Sequence, residues 1–141
     1  MKKTTTIVLV LVVAAILVLA LSGTAFAGGA PPTIQSATVW GPSSLMENGY
    51  HFDVEFTFTG KPLHWAVCMS WKAWDGTYFD TWGTRFDFYR AQSSAHKVSR
   101  TLVVVTTEEN ATLLGVTIYL YDRKLNTVGF YWVAREQFET Y

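Results

Sequence analysis

The chain reads as an all-β protein: an antiparallel β-sandwich of seven to eight strands, preceded by an N-terminal hydrophobic signal helix. Three observations predict this. Segments with apolar residues at every second position recur through residues 34–134, turn residues interrupt them about every ten positions, and nothing after residue 27 carries convincing helical spacing.

The clearest segment is HFDVEFTFT, where Phe52, Val54, Phe56 and Phe58 alternate with polar neighbours, the mark of a strand with one buried face. After Gly60-Lys61-Pro62 the pattern resumes in LHWAVCMSW, with Leu63, Trp65, Val67, Met69 and Trp71 in one phase. Together these nine side chains can seed a core. If the two strands pair as a hairpin, His51 and His64 stand at its opposite ends.

The amino terminus is a separate matter. Lys2 and Lys3 precede an unbroken apolar run from Ile7 to Leu21, and Ala25-Phe26-Ala27 is an A-x-A cleavage pattern. The run falls short of the roughly 20 residues of a membrane span. Residues 1–27 are therefore read as a secretory signal cleaved after Ala27, with an uncleaved membrane anchor as the alternative. The chain is accordingly expected to be secreted, extracellular or at the cell surface.

Cleavage leaves 114 residues, the size of one domain. Without Lys2 and Lys3 they carry 9 basic and 11 acidic groups, a net charge of −2, which argues against a nucleic-acid partner. Cys68 is the single cysteine, so no intrachain disulfide is available. Its place between Val67 and Met69 reads as a buried structural thiol, an intermolecular disulfide being the alternative.

In chain order, residues 28–33 form a flexible lead, residues 34–134 the sandwich and residues 135–141 a polar tail. Ile34–Trp40 is a first strand that Gly41-Pro42-Ser43-Ser44 should stop. Asn48-Gly49 signals a turn into a strand over Tyr50–Thr59, and the next runs from Leu63 to about Lys72. Ala73–Gly83 is irregular, with an Asp75-Gly76 turn and a bend at Thr81-Trp82-Gly83 around a short edge strand. Arg85–Arg90 resumes alternation with Phe86 and Phe88 in one phase, and Gln92–His96 is a polar loop. Within Lys97–Thr107, residues Leu102–Val105 are apolar in both phases, implying cover on both faces or a bulge. Leu114, Val116, Ile118 and Leu120 form the inward face of the following strand. Asp122–Asn126 is a tight hairpin loop in which Asn126 suits positive φ, and Val128–Ala134 closes the sheet.

This pattern resembles the immunoglobulin-like and fibronectin-III-like modules of secreted prokaryotic proteins. The likeness covers most of the mature chain, and the closing hairpin VTIYLYDRKLNTVGFYWV is its most familiar piece. It implies that Trp65 occupies the core-tryptophan position of the third strand; the paired cysteines of true immunoglobulin domains are absent. Architecture of this kind carries no function.

The chain has no HExxH, CxxC, G-x-S-x-G or glycine-rich phosphate motif, and His51, His64 and His96 have no ligand spacing. Asp75, Asp80 and Asp87 crowd one region, as calcium or paired-carboxylate sites do, but turns and alternating strands hold Asp for ordinary reasons. The chain is therefore read as non-catalytic, without cofactor or metal. Asn110-Ala111-Thr112 is a sequon, making Asn110 the glycosylation candidate. Trp74, Tyr78 and Trp82 lie outside clean alternation and are the ligand-binding candidates, because exposed aromatic faces stack on sugars and anchor protein interfaces.

Two classes of function follow. The first is a structural or interaction subunit of a surface layer, pilus or extracellular filament, self-associating at sheet edges. There, Thr33–Val39 would donate a strand and the edge near Arg85–Arg90 would accept one. The second is a carbohydrate- or cell-surface-binding module using Trp74, Tyr78 and Trp82. A membrane-anchored ectodomain follows if the N-terminal helix is retained.

Overall fold

The structure, a computed structural model, describes residues 29–46, 49–106 and 110–141. The signal or anchor reading of residues 1–27 and the turn residue Asn48 lie outside the described residues.

Eight strands follow one another: β1 (Thr33–Met46), β2 (Gly49–Thr59), β3 (His64–Lys72), β4 (Tyr78–Trp82), β5 (Phe86–Asp87), β6 (Lys97–Val105), β7 (Thr112–Tyr121) and β8 (Thr127–Ala134). They form two antiparallel sheets. The smaller has the order β1-β2-β6, and the larger has β4-β3-β7-β8 with β5 also paired to β3. The inward phases of β2 and β3 meet between them: Phe52, Val54, Phe56, Phe58, Trp65, Val67, Met69 and Trp71 are all buried. Trp65 packs edge-on against Phe56 of the opposite sheet at 5.3 Å between ring centroids. Leu63, just before β3, is exposed instead.

β2 and β3 do not form a hairpin. Each belongs to a different sheet, so His51 and His64 sit on opposite sides of the core. The chain crosses at Gly60, whose φ of 81° and close approach to Pro32 leave no room for a side chain; a Cβ there would stand 2.9 Å from Pro32 Cα.

Gly41-Pro42 does not end the first strand. Gly41 takes φ 109°, the pairing slips between Trp40 and Ser43, and the ladder resumes at Ser43 opposite His51. A bulge absorbs the proline, which β1 tolerates because it is an edge strand.

The Leu102–Val105 stretch takes neither expected form. β6 pairs with β2 without interruption from Lys97 to Val105, while Val103 and Val105 point outward and are 59% and 57% exposed. On β7 a register shift opposite Ser70 and Trp71 makes Leu113, not Leu114, the first inward residue.

A short helix, α1 (Arg90–Ala95), stands where a loop was expected. Its first turn closes locally, with Tyr89 N–H donating to Gln92 Oε1 at 3.1 Å and Ser93 N–H to Tyr89 O at 2.9 Å. It ends on His96 in the left-handed region at φ 51°. In the β7–β8 loop, Leu125 and not Asn126 takes positive φ, at 65°. The reason is Asp122, whose carboxylate accepts the Lys124 and Asn126 N–H groups at 2.8 and 2.9 Å and the Asn126 side chain at 3.1 Å. Asn126 is thereby committed.

The tail read as polar is docked. After a 3₁₀ turn (Arg135–Gln137), Phe138 enters the core edge-on to Phe52. Glu139 N–H donates to Val39 O at 2.8 Å and its carbonyl accepts from Gly41 at 3.1 Å, covering part of the β1 edge.

Candidate functional site

The outer faces of the two sheets differ in chemistry. That of the small sheet carries polar cross-strand pairs: Ser36 with Thr57 at 2.7 Å, Lys97 with Glu55 at 2.9 Å, and the Thr101 hydroxyl donating to Asp53. That of the large sheet carries rings.

Register explains how the rings come together. Trp82 of β4 lies beside Cys68 of β3, Tyr119 of β7 lies beside Ala66, and Phe130 of β8 lies beside Tyr119. Because β3 offers only small side chains there, the rings flanking it meet above it. Trp82 and Tyr119 have centroids 5.2 Å apart with planes inclined by 31°. Tyr119 continues to Phe130 at 6.3 Å and to Tyr121 at 6.3 Å. Trp132, opposite Thr117, extends the group over Gly115. This roof is why Ala66 and Cys68 are buried on an outward phase. Phe130 stays 69% exposed and Trp82 57%, so the belt has a face to offer.

Polar groups border it. Asp80 accepts from Ser70 Oγ at 2.7 Å, and His64 Nδ1 lies 2.5 Å from Asp87 Oδ1. Burial, then the nearby Asp80 charge and its hydrogen bond, push the Cys68 thiol up to about 11. Burial also raises Tyr121, with Tyr119 and Cys68 adding to the effect and Arg85 opposing it.

Of the three candidates from sequence, the belt contains Trp82. Tyr78 shares the outward phase of β4 but stands apart, with Lys72 Nζ 5.9 Å from its ring centroid. Trp74 projects from the turn closed by Ala73 and Thr77, and is the most exposed of the three. Tyr78 and Trp82 are exposed because β4 alternates regularly, not because they fall outside alternation. Tyr119, Tyr121, Phe130 and Trp132 were missed. Their signal was present: in IYLYDRKLNTVGFYW the second phase of each strand is aromatic where a solvent phase should be polar.

The three aspartates serve separate local roles: Asp75 accepts from Thr77 N–H and Oγ1 at 2.9 and 2.7 Å, Asp80 binds Ser70, and Asp87 meets His64. The His51 ring lies against Tyr141 and the His96 ring against Phe58, both tilted, so the histidines do not converge. Asn110 is exposed at φ 56°, two residues before the β7 strand.

No family model matches the chain, and no curated protein or solved structure matches it either.

Proposed function

We propose that the chain is a non-catalytic, exported module of immunoglobulin-like or fibronectin-III-like type that binds carbohydrate through the outer face of its large sheet. The finer fold assignment is supported by strand order. In constant-type immunoglobulin sandwiches the first, second, fourth and fifth strands of the alphabetic scheme share one sheet and the third, sixth and seventh share the other; the fourth has no counterpart beside β6 among the described residues. Here β1, β2 and β6 oppose β3, β7 and β8, with β4 and β5 as the extra edge on β3. Trp65 lies in the core at the third-strand position.

The observation that carries the binding reading is the row Trp82–Tyr119–Phe130, with rings 5.2 and 6.3 Å apart and two of them strongly exposed. A sugar ring presents C–H groups on its faces and hydroxyls at its rim. A row of aromatic faces bordered by Ser70, Asp80, Arg85 and the His64–Asp87 pair is complementary to a chain of such rings. The test is sedimentation with insoluble polysaccharides and a glycan array, using the exported chain. Trp82→Ala and Phe130→Ala should abolish binding while thermal melting stays within a few degrees, since both side chains are exposed. Trp74→Ala and Tyr78→Ala should weaken it less. Binding that survives loss of both Trp82 and Phe130 would remove the reading.

A second reading is a subunit of a surface layer, pilus or filament, for which the β6 edge, paired on one side only among the described residues, supplies a single self-associating contact. The strand-donation version fares less well. Thr33–Val39 is already paired with β2 in its own chain and buries Ile34 and Val39, while β5 and α1 occupy Arg85–Arg90. Deleting Gly28–Trp40 should therefore unfold the domain and not merely block assembly. Negative-stain microscopy of the extracellular fraction tests the reading, and filaments would support it. The intact mass of the exported chain separates both from a membrane-anchored ectodomain, because cleavage leaves Gly28 first.

A further inference from the structure

The sheets have four edges, and three of them are blunted. The tail covers β1 at Val39–Gly41, Pro31–Ile34 lie against β8 around Gly129, and the β4/β5 edge is broken between Trp82 and Phe86. Breaks, prolines and covering segments are the usual protections of an edge. β6 has none: it is nine residues long, regular, free of proline, and paired on one side only among the described residues.

The phase of its free groups can be read. Phe58 N–H donates to His96 O at 3.0 Å in the same register as the β2–β6 ladder. Antiparallel hydrogen-bonded pairs alternate with non-bonded ones, so Val98, Arg100, Leu102 and Val104 direct their backbone groups at β2. Lys97, Ser99, Thr101, Val103 and Val105 direct theirs outward. Outward-facing backbone groups on an extended strand call for another strand.

We propose that this edge is a homodimer interface, in which β6 adds antiparallel to β6 of a second copy about a two-fold axis through Val103. The two small sheets then become one of six strands. Antiparallel addition about a two-fold is self-complementary, so the same patch serves both copies. In this register Val103 meets its own counterpart and Thr101 meets Val105 of the second copy, covering two valines that are 59% and 57% exposed. Charge fits as well. The paired centre Thr101–Val105 is uncharged, Arg100 falls opposite Thr106 of the second copy, and no like charges face each other. The Arg100 guanidinium is turned toward the large sheet, 4.3 Å from the Phe86 ring centroid, which leaves the edge clear. The interface is independent of the aromatic belt, which lies on the other sheet.

Sedimentation velocity of the exported chain over a range of concentrations should show a species of twice the single-chain mass, and Val103→Lys should make it monomeric with an unchanged circular dichroism spectrum. Register is tested by cysteine pairs. Val103 Cα atoms of the two copies would stand about 5.5 Å apart, within disulfide reach, whereas Val105 Cα atoms would be about 14 Å apart. Mild oxidation should therefore link Val103→Cys into a covalent dimer and leave Val105→Cys unlinked. A wild-type chain that stays monomeric at every concentration would overturn the proposal. So would a Val103→Lys dimer, or equal cross-linking of the two cysteine variants.

Discussion

The indole of Trp132 lies over Gly115, on the neighbouring strand, so closely that a Cβ at Gly115 would stand 2.4 Å from Trp132 Cζ2 and Cη2 and 2.6 Å from Val133 O. The aromatic face thus depends on a missing side chain. In an ordinary strand position alanine is better than glycine by roughly 0.5–1 kcal/mol. Here overpacking should reverse the sign, and Gly115→Ala should destabilise by about 1–3 kcal/mol in urea titration. Adding Trp132→Ala should restore only part of the loss, because the Val133 carbonyl still blocks the new methyl.

Phe138 gives the tail its hold. It lies buried edge-on to Phe52 at 6.4 Å, and it positions Glu139 to bond Val39 and Gly41. Phe138→Ala should cost about 3 kcal/mol, as large-to-small changes at buried aromatics do. Hydrogen exchange at Gly41 and Glu139 should accelerate in the same variant. Exchange at Val116 and Ile118, deep in the large sheet, should change less.

The alternation of β2 and β3 was legible because both strands bury one full phase of large side chains. Which sheet each joins was not legible: Gly60-Lys61-Pro62 can serve a hairpin or a crossover, and only the three-dimensional approach of Pro32 to Gly60 separates the two. Trp82 was found because its ring stands among turn signals. Tyr119 and Phe130 were passed over because period-two reasoning gives the second phase to solvent, and their grouping is set by β3, β7 and β8 registers that no local segment encodes. The tail failed for a similar reason. One phenylalanine among Arg135, Glu136, Gln137 and Glu139 has no periodicity to announce it.

Leu125 is strained by its position. Its φ of 65° lies in the left-handed region, which costs a residue with a Cβ about 1 kcal/mol or more. Glycine relieves that strain but loses more entropy on folding. The balance should leave Leu125→Gly more stable by about 0.5 kcal/mol, whereas Leu125→Ala keeps the strain and should gain nothing. Chemical denaturation of the two variants side by side checks the sign.

Cys68 links stability to alkaline pH. Folding raises its thiol from an ordinary 9.0 to about 11, chiefly by burial beneath the Trp82 and Tyr119 rings and then through Asp80. A proton is therefore held more tightly in the folded chain than in the unfolded one. The contribution is complete below pH 9 and is lost as pH rises from 9 to 11, because the unfolded thiol ionises first. Tyr121 and Tyr141 are shifted in the same direction and add to the decline at higher pH. Cys68→Ala removes the thiol together with its share of the Tyr121 shift: its urea midpoint should fall less between pH 8 and pH 10.5 than that of the parent. The same burial should keep the native thiol from reacting with an aromatic disulfide reagent at pH 8 until denaturant is added, since the thiolate is the nucleophile. Equal pH slopes for the two chains, or rapid labelling of the native one, would contradict the burial of Cys68 under the aromatic belt.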